Sequence, residues 1–171
     1  GDPNLQLKAL ETWFSSRGNR FTYEHTLMAE SEGIPVGLLL RFSGKDLAKL
    51  ELGCGREIFK IYGLFGAVKM IWRNKVLSNA KEAENDEYLI AHLAVDPHFR
   101  RHGIAEALMQ RAVDETRSLG LSKLVLEVEI GNDPAIQLYQ KTGFKIVNTV
   151  LFGKQAALYH CDGFYKMLMT V

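Results

Sequence analysis

The pattern of apolar and polar positions changes period within residues 89–113. Residues 89–95 form an apolar run interrupted by His92, which predicts a strand, and Asp96-Pro97 ends it because proline cannot donate a ladder hydrogen bond. After a basic loop, apolar residues recur at positions 104, 105, 108, 109, 112 and 113, the spacing of one helix face. The pattern therefore predicts a strand, a short basic loop, a glycine and a helix.

Earlier in the chain, the same reasoning predicts a helix followed by a hairpin. Residues 5–17 have apolar positions near helical spacing, and Gly18-Asn19 is a suitable helix end. Residues 21–30 and 34–42 are typical of two strands joined by the turn-forming residues 31–33.

Residues 44–85 separate this hairpin from the central strand. We expect a short helix over 46–52 with Asp46 as its cap, a break at residues 53–55, and an amphipathic helical segment over 56–77 interrupted by Gly63 and Gly66. Two interpretations stay open, a helical layer packed on the sheet and a helix on a membrane surface. Five basic residues between positions 56 and 75 argue against a membrane span.

The second half of the chain alternates strands and helices. Gly120 ends the helix that follows Gly103, and residues 121–130 alternate with period two, which places Glu127 and Glu129 on the face opposite Leu124. A helix over about 133–142 is predicted next, with Asp133 as cap and Gly143 at its end. Residues 144–152 and 164–171 are predicted closing strands with a long loop between them. Residues 81–87 are predicted to form a charged loop.

Composition narrows the class of protein. The chain has 171 residues, 47% hydrophobic and 24% charged, which is typical of one soluble globular domain. A net charge of +1 argues against a nucleic-acid partner. Two cysteines, Cys54 and Cys161, are too few for a disulfide framework, and no secretory signal is visible. We therefore expect a cytoplasmic protein without a membrane span.

The start of the helix after residue 103 is a candidate anion site. The free N–H groups of a helix start carry partial positive charge, and Gly103 has no side chain to keep a phosphate away. Arg100, Arg101 and His102 add cationic donors beside it. On these residues alone, an anion site and an ordinary helix start with solvated arginines remain open.

Residues 95–105 have the form V-x-P-x-x-R-x-x-G-x-A. This resembles the acetyl-coenzyme A (acetyl-CoA) motif Q/R-x-x-G-x-G/A of the GNAT N-acetyltransferase superfamily. The resemblance implies that the strand holds the pantetheine arm and that the loop and helix start hold the pyrophosphate. The cofactor-binding residues it implies are Leu93, Ala94, Val95, Arg100, Arg101, His102, Gly103, Ile104 and Ala105.

Residues 126–144 are similar to a second GNAT signature, a strand, loop and helix ending in L-Y-x-x-x-G-F. Together the signatures imply an α/β (α+β) fold, a mixed and mostly antiparallel sheet with flanking helices. We expect one such domain over residues 1–171, with residues 44–85 as a helical insertion that walls the acceptor side of the cleft. Members usually begin with a further strand and helix, for which this chain has no room. By the same resemblance, Asn132 and Tyr139 contact the cofactor.

The activity implied is transfer of the acetyl group of acetyl-CoA to a primary amine of a small molecule or protein. Tyr139 would be the general acid, although an aromatic packing on its helix is the alternative. Glu127 is the first candidate for the base, with Glu129 and His92 as further candidates on the substrate side and a water relay also open. A GNAT-like domain that binds acetyl-CoA as a sensor or partner, without catalysis, is the second functional interpretation.

Other kinds of site fit the sequence poorly. His98 and His102 have no third ligand, so we expect no metal. Cys161 lies between His160 and Asp162, but members of a triad meet in space rather than in sequence. Residues 53–55 lack the third glycine of a dinucleotide fingerprint, and no P-loop is present. A homodimer is compatible with the sequence.

Overall fold

The computed structural model describes residues 3–74, 81–153 and 156–171. Within these residues, short 3₁₀ turns lie at Tyr23–His25, Gly44–Asp46 and Pro97–Phe99. In chain order the helices and strands are α1 (Pro3–Ser15), β1 (Thr26–Ser31), β2 (Ile34–Ser43), α2 (Leu47–Asn74), β3 (Glu87–Val95), α3 (Ile104–Ser118), β4 (Lys123–Glu129), α4 (Asp133–Lys141), β5 (Lys145–Leu151), α5 (Ala156–Tyr159) and β6 (Gly163–Thr170).

The six strands form one sheet in the order β1-β2-β3-β4-β6-β5. Every neighbouring pair is antiparallel except β3 and β4, which are parallel. The predicted mixed, mostly antiparallel sheet with flanking helices is confirmed.

The parallel strands part in the middle of the sheet. Their last backbone pair joins Ile90 to Leu126. Beyond it, β3 continues beside β2 to Val95, and β4 continues beside β6 to Glu129. Because neither strand has the other as partner there, a gap opens at the centre of the sheet.

Each face of the sheet carries its own core. On one, which we call the α3 face, Leu39, Ile90 and Leu126 pack with Leu108 and Met109 of α3. On the other, the α2 face, Leu47 and Leu50 of α2 pack with Leu40, Phe42, Leu89 and Val125. The first turns of α2 thus form a helical layer on the sheet. Within the described parts of the chain, no helix is long and apolar enough to cross a membrane.

The predicted break at residues 53–55 is wrong, because α2 runs through them. Gly53 is buried, and a Cβ atom at this position would overlap the carbonyl oxygen of Gly18. The glycine therefore allows two segments to approach closely rather than ending a helix. The interruption at Gly63 is confirmed, with φ 67° and ψ −176°, whereas Gly66 stays helical. Residues 75–77 of the predicted segment lie outside the described residues.

The predicted strand over 21–30 is shorter than expected. Buried Asn19 donates to the Trp13 carbonyl at 2.9 Å and accepts from the Phe21 N–H at 2.8 Å, which fixes a turn. The Thr22 hydroxyl then accepts from the Glu24 N–H and begins a 3₁₀ turn. These local hydrogen bonds compete with strand pairing, so β1 begins only at Thr26.

Two further expectations need correction near the C-terminal half. The cap of α4 is Asn132, whose side chain accepts from the Ala135 N–H, so Asp133 is already helical. The predicted long loop before β6 contains the short helix α5, and residues 154–155 lie outside the described residues.

Candidate active site

The loop between β3 and α3 has an unusual backbone. Arg101 and Gly103 both have left-handed conformations, with φ of 65° and 77°. Gly103 caps α3 without a side-chain hydrogen bond, and a Cβ atom placed on it would meet no heavy atom within 4 Å. Left-handed residues beside a helix start turn successive N–H groups toward one point, which favours an anion. Ile104 and Ala105 form the first helical turn behind this cap, and the anion site at this position stays a prediction.

Hydrogen bonds within the loop fix its shape. The Arg100 side chain donates to the Val95 carbonyl at 3.3 Å, and the His102 Nδ1–H donates to the Arg100 carbonyl at 2.9 Å. Asp96 accepts from the His98 N–H at 2.8 Å and caps the turn that ends β3. Arg100, Arg101 and His102 remain exposed around the helix start. The two guanidinium groups and the N–H donor of the His102 ring fit a diphosphate at this position.

A second feature of the candidate site is the edge of β3 that faces the gap between β3 and β4. The Asp96 N–H donates to the Val36 carbonyl at 2.9 Å, on the β2 side. Because N–H groups alternate sides along a strand, those of Val95 and Leu93 point toward the gap, whereas that of Ala94 points toward β2. An extended amide chain such as a pantetheine arm would find donors at Val95 and Leu93.

Glu127 lies at the point where the gap begins, one residue beyond the last pair between β3 and β4. It shares the α2 face with fully buried Val125, so this face of β4 is covered by the protein near Glu127. Its buried Oε1 atom has no hydrogen-bond partner among the residues that the structure describes. Burial and the nearby Glu82 carboxylate raise the pKa of Glu127 to about 7, against the opposing charges of Lys166 and Arg20. A carboxyl group in this state exchanges a proton near neutral pH.

An ion pair that the sequence did not reveal lies beside Glu127. Arg20 donates from Nη1 and Nη2 to the two carboxylate oxygens of Glu82, at 2.9 and 2.5 Å. The guanidinium also lies over the rings of Phe21 and Phe42, at 5.9 and 5.5 Å. Glu82 belongs to residues 81–87, which the sequence predicts only as a charged loop. The pattern therefore gave no indication that the Glu82 side chain would pair with Arg20 beside Glu127.

His92 lies on the same face of the neighbouring strand. It pairs with Leu40 of β2, and its ring stacks on Phe21 with centroids 6.0 Å apart. The side chain stays accessible to solvent, yet the protein around the ring displaces water, which lowers the pKa of His92, and the charge of Arg20 lowers it further. Glu129, at the end of β4, is exposed.

Tyr139 lies on α4 and packs into the α3 face. Its ring is buried, with its centroid 6.0 Å from that of Phe144, so the packing role is real. Burial raises the pKa of Tyr139, which keeps the hydroxyl protonated at neutral pH. In the described part of the chain, this hydroxyl has no hydrogen-bond partner, so its proton is uncommitted. The Asn132 side-chain oxygen, by contrast, is engaged in capping α4.

No group of three or more His, Cys, Asp or Glu side chains within residues 3–74, 81–153 and 156–171 is arranged to hold a metal ion.

The chain is similar in sequence to known acetyltransferases. The chain is 41% identical over 59 residues to ribosomal protein bS18-alanine N-acetyltransferase of Escherichia coli K12, covering 34% of this chain and 40% of that protein. It is 42% identical over 72 residues to the chloroplastic GCN5-related N-acetyltransferase 6 of Arabidopsis thaliana, covering 42% and 25%. The matches thus span less than half the length of these curated relatives.

The fold has close structural counterparts. An N-acetyltransferase from Staphylococcus aureus Mu50 superposes with a TM-score of 0.70 at 25% identity, over 99% of this chain and 82% of that one. The model of the acetyltransferase (GNAT) family matches residues 4–144, a range that includes β3, the loop before α3, Glu127 and Tyr139. The chain belongs to the GNAT family of acetyltransferases.

Proposed function

We propose that this protein is an N-acetyltransferase that moves the acetyl group of acetyl-CoA directly to a primary amine of a small molecule or a protein. The observation that carries this proposal is the Oε1 atom of Glu127, which is buried without a hydrogen-bond partner among the described residues at the head of the gap between β3 and β4. A buried polar atom without a partner costs stability, so its presence favours a catalytic role over a purely structural one. It also favours an enzyme over a domain that only binds acetyl-CoA.

The residues of this chain fit acetyl-CoA, the co-substrate that the family uses. The N–H groups after Gly103, with Arg100, Arg101 and His102, would hold the pyrophosphate. The N–H groups of Leu93 and Val95 would hold the pantetheine arm along the open edge of β3. Bound there, acetyl-CoA would supply an acetyl thioester at the gap.

Glu127 would act as the general base. An alkylammonium group with a pKa near about 10 has no lone pair, so the acceptor must lose a proton before it can attack. The ionised Glu127 carboxylate would take that proton, directly or through one water. We assign this role to Glu127 rather than Glu129, because Glu129 is exposed at the end of its strand. His92 remains beside the acceptor as a neutral neighbour.

Two further groups complete the chemistry. The Val95 N–H faces the gap and would donate to the oxyanion that develops as the acetyl carbon is attacked. The protonated Tyr139 hydroxyl would donate to the departing thiolate. Because its ring is packed against Phe144, the hydroxyl would be held in one position.

We also propose that residues 44–85 wall the acceptor side. In support, this segment supplies Glu82, which binds Arg20 beside Glu127, and Cys54, whose Sγ accepts from the Arg20 backbone N–H at 3.5 Å. A cytoplasmic location is proposed as well, with the free thiols of Cys54 and Cys161 in its support. The absence of a nucleic-acid partner and the homodimer stay predictions.

The test of the proposed function is thiol release from acetyl-CoA over a panel of primary amines. We expect saturable turnover with at least one amine, and Glu127→Gln should lower kcat/KM by about 10²-fold or more. Glu30→Gln, an exposed strand carboxylate on β1, is the matched control and should behave as wild type. Saturable binding of CoA without turnover on any amine would instead support the non-catalytic interpretation.

A further inference from the structure

An apolar cavity of about 350 Å³ lies on the α2 face, between α1 and the strands β1 to β3. The volume falls in the range of small-molecule sites, which begins near about 300 Å³. Its lining is mainly aliphatic and aromatic, with His92 at one side and Glu11 as its one carboxylate within the described chain. The apolar lining residues are Leu10, Phe14, Phe21, Leu38 and Leu40.

Aromatic stacking positions one of the side chains that line the cavity. Phe21 is stacked between Trp13, at a centroid distance of 5.2 Å, and His92, at 6.0 Å. These two stacking contacts fix the position of the Phe21 ring, which lines the cavity. On the outer wall, Leu10 is 52% exposed and Phe14 is 39% exposed. Apolar side chains grouped around a concave surface, rather than scattered singly, indicate a surface that a ligand covers.

The cavity adjoins Glu127. His92 lines the cavity and lies on β3, two residues beyond the last pair with β4, while Glu127 lies on β4 one residue beyond the same pair. Both side chains are on the α2 face. The charges of Arg20 and Glu82 act on both groups, which places the two within one electrostatic neighbourhood. A molecule seated in the cavity therefore has its polar end near the proposed base.

We infer that this cavity is the acceptor subsite, and that the acceptor is a primary amine bearing an alkyl or aromatic group that fills it. The inference rests on the proposed function, because Glu127 must be the base for the nitrogen to belong beside it. A polycationic acceptor is a poor match, since Glu11 is the one carboxylate of the described residues lining the cavity. The apolar amine can be a free small molecule or the first residue of a protein.

The experiment compares kcat/KM for phenethylamine, isoamylamine and ethanolamine, and for short peptides beginning with Phe or Ser. We expect the apolar acceptors to exceed their polar counterparts by at least about 10-fold, the usual effect of one or more buried methylenes. A higher kcat/KM for the Phe peptide than for phenethylamine would identify a protein source. The reverse order would identify a free amine.

Leu10→Asp places a charge at the rim of the cavity without disturbing a buried position. It should raise the KM for phenethylamine about 10-fold or more while the affinity for CoA stays unchanged. Leu7→Asp is the matched control on the same helix, because Leu7 is 58% exposed and does not line the cavity.

The outcomes separate this inference from the proposed function. Equal kcat/KM for apolar and polar amines, or a Leu10→Asp variant identical to Leu7→Asp, would overturn the subsite while leaving the acetyltransferase in place. If no amine is turned over, the proposed function fails, and calorimetric titration with phenethylamine then decides about the cavity. Saturable binding that Leu10→Asp weakens would keep a ligand site for apolar amines, and no binding would remove it.

Discussion

Arg20 and Glu82, 62 positions apart in the chain, form a two-pronged ion pair with N···O distances of 2.9 and 2.5 Å. The pair lies on the α2 face beside Glu127 and acts on its carboxyl group with opposite signs, since Glu82 raises the pKa of Glu127 and Arg20 lowers it. Together with burial, this balance sets the pH at which the proposed base gains or loses its proton.

The pH dependence of turnover should follow Glu127. Only the ionised carboxylate can accept a proton, and burial together with Glu82 raises the pKa of Glu127 to about 7. Below that value kcat/KM should therefore fall about tenfold for each unit of pH, with a plateau above it. Steady-state rates between pH 5.5 and 9 provide the measurement. A profile that stays flat from pH 5.5 to 9, with no acid limb near pH 7, would contradict this role of Glu127.

Removing either charge of the Arg20–Glu82 ion pair should shift the acid limb of the kcat/KM profile, and the two substitutions should shift it in opposite directions. Glu82→Gln removes a negative charge and leaves Arg20 uncompensated, so the pKa of Glu127 should fall and the limb should move to lower pH. Arg20→Gln removes a positive charge and leaves Glu82 uncompensated, so the limb should move to higher pH.

The control for this pair of variants is Glu84→Gln, an exposed carboxylate in the same 81–87 segment that pairs with Lys81. It should leave the limb in place. Circular dichroism establishes that each variant is folded before its profile is compared. Shifts of the same sign in Glu82→Gln and Arg20→Gln would contradict the electrostatic explanation.

The unpartnered carboxyl group should also reduce stability at alkaline pH. Burial raises the pKa of Glu127 from an ordinary 4.5 to about 7 in the folded state, so the folded chain holds this proton more tightly than the unfolded chain. The stabilisation is complete below pH 4.5 and is lost as pH rises through 7. At pH 8, Glu127→Gln should exceed the wild type in unfolding free energy by about 1–2 kcal/mol, which is less than the full shift implies because solvent screens the partly exposed carboxyl group.

Urea unfolding at pH 4.5 and pH 8 measures this difference. The variant and the wild type should be nearly equal at the lower pH, because Glu127 is protonated there in the folded state. A constant difference at both values would indicate a packing effect of the substitution rather than ionisation.

The proposed pyrophosphate site at the start of α3 can be tested by introducing a negative charge. Gly103→Glu places a carboxylate where the pyrophosphate is proposed to bind, so the Kd for CoA should rise by about 10-fold or more. Gly120→Glu is matched in backbone, because Gly120 has φ 69° beside 77° for Gly103 and its missing Cβ likewise meets no atom. It lies at the other end of α3 and should bind CoA as the wild type does. Calorimetric titration with CoA gives both constants.

Tyr139→Phe separates the two roles of this residue. The ring and its packing on Phe144 are retained, while the proton is lost, so kcat should fall by about 10²-fold with little change in CoA affinity or melting temperature. Saturating assays and a thermal melt make the comparison. An unchanged kcat would leave Tyr139 with its packing role alone.

The sequence alone determined the local part of this site. The apolar pattern changes from the period of a strand to that of a helix between Asp96-Pro97 and Gly103. Such a change depends only on residues that are close in sequence, so β3, its end and the start of α3 could be predicted closely. Glycine residues predicted the course of α2 less well, because glycine can serve two purposes. Gly63 interrupts the helix, whereas Gly53 stays helical and allows the backbone at Gly18 to approach closely. Spacing along one segment does not distinguish these uses.

Tertiary structure decided what those local elements do together. The gap between β3 and β4 depends on where the pairing of two strands stops, and the electrostatic surroundings of Glu127 depend on the Arg20–Glu82 pair, whose members come from distant parts of the chain. Desolvation and charge act through space, so alternation along β4 could place Glu127 on a face without revealing that this face is covered. The cavity beside His92 has the same origin, because it exists only where α1 meets three strands.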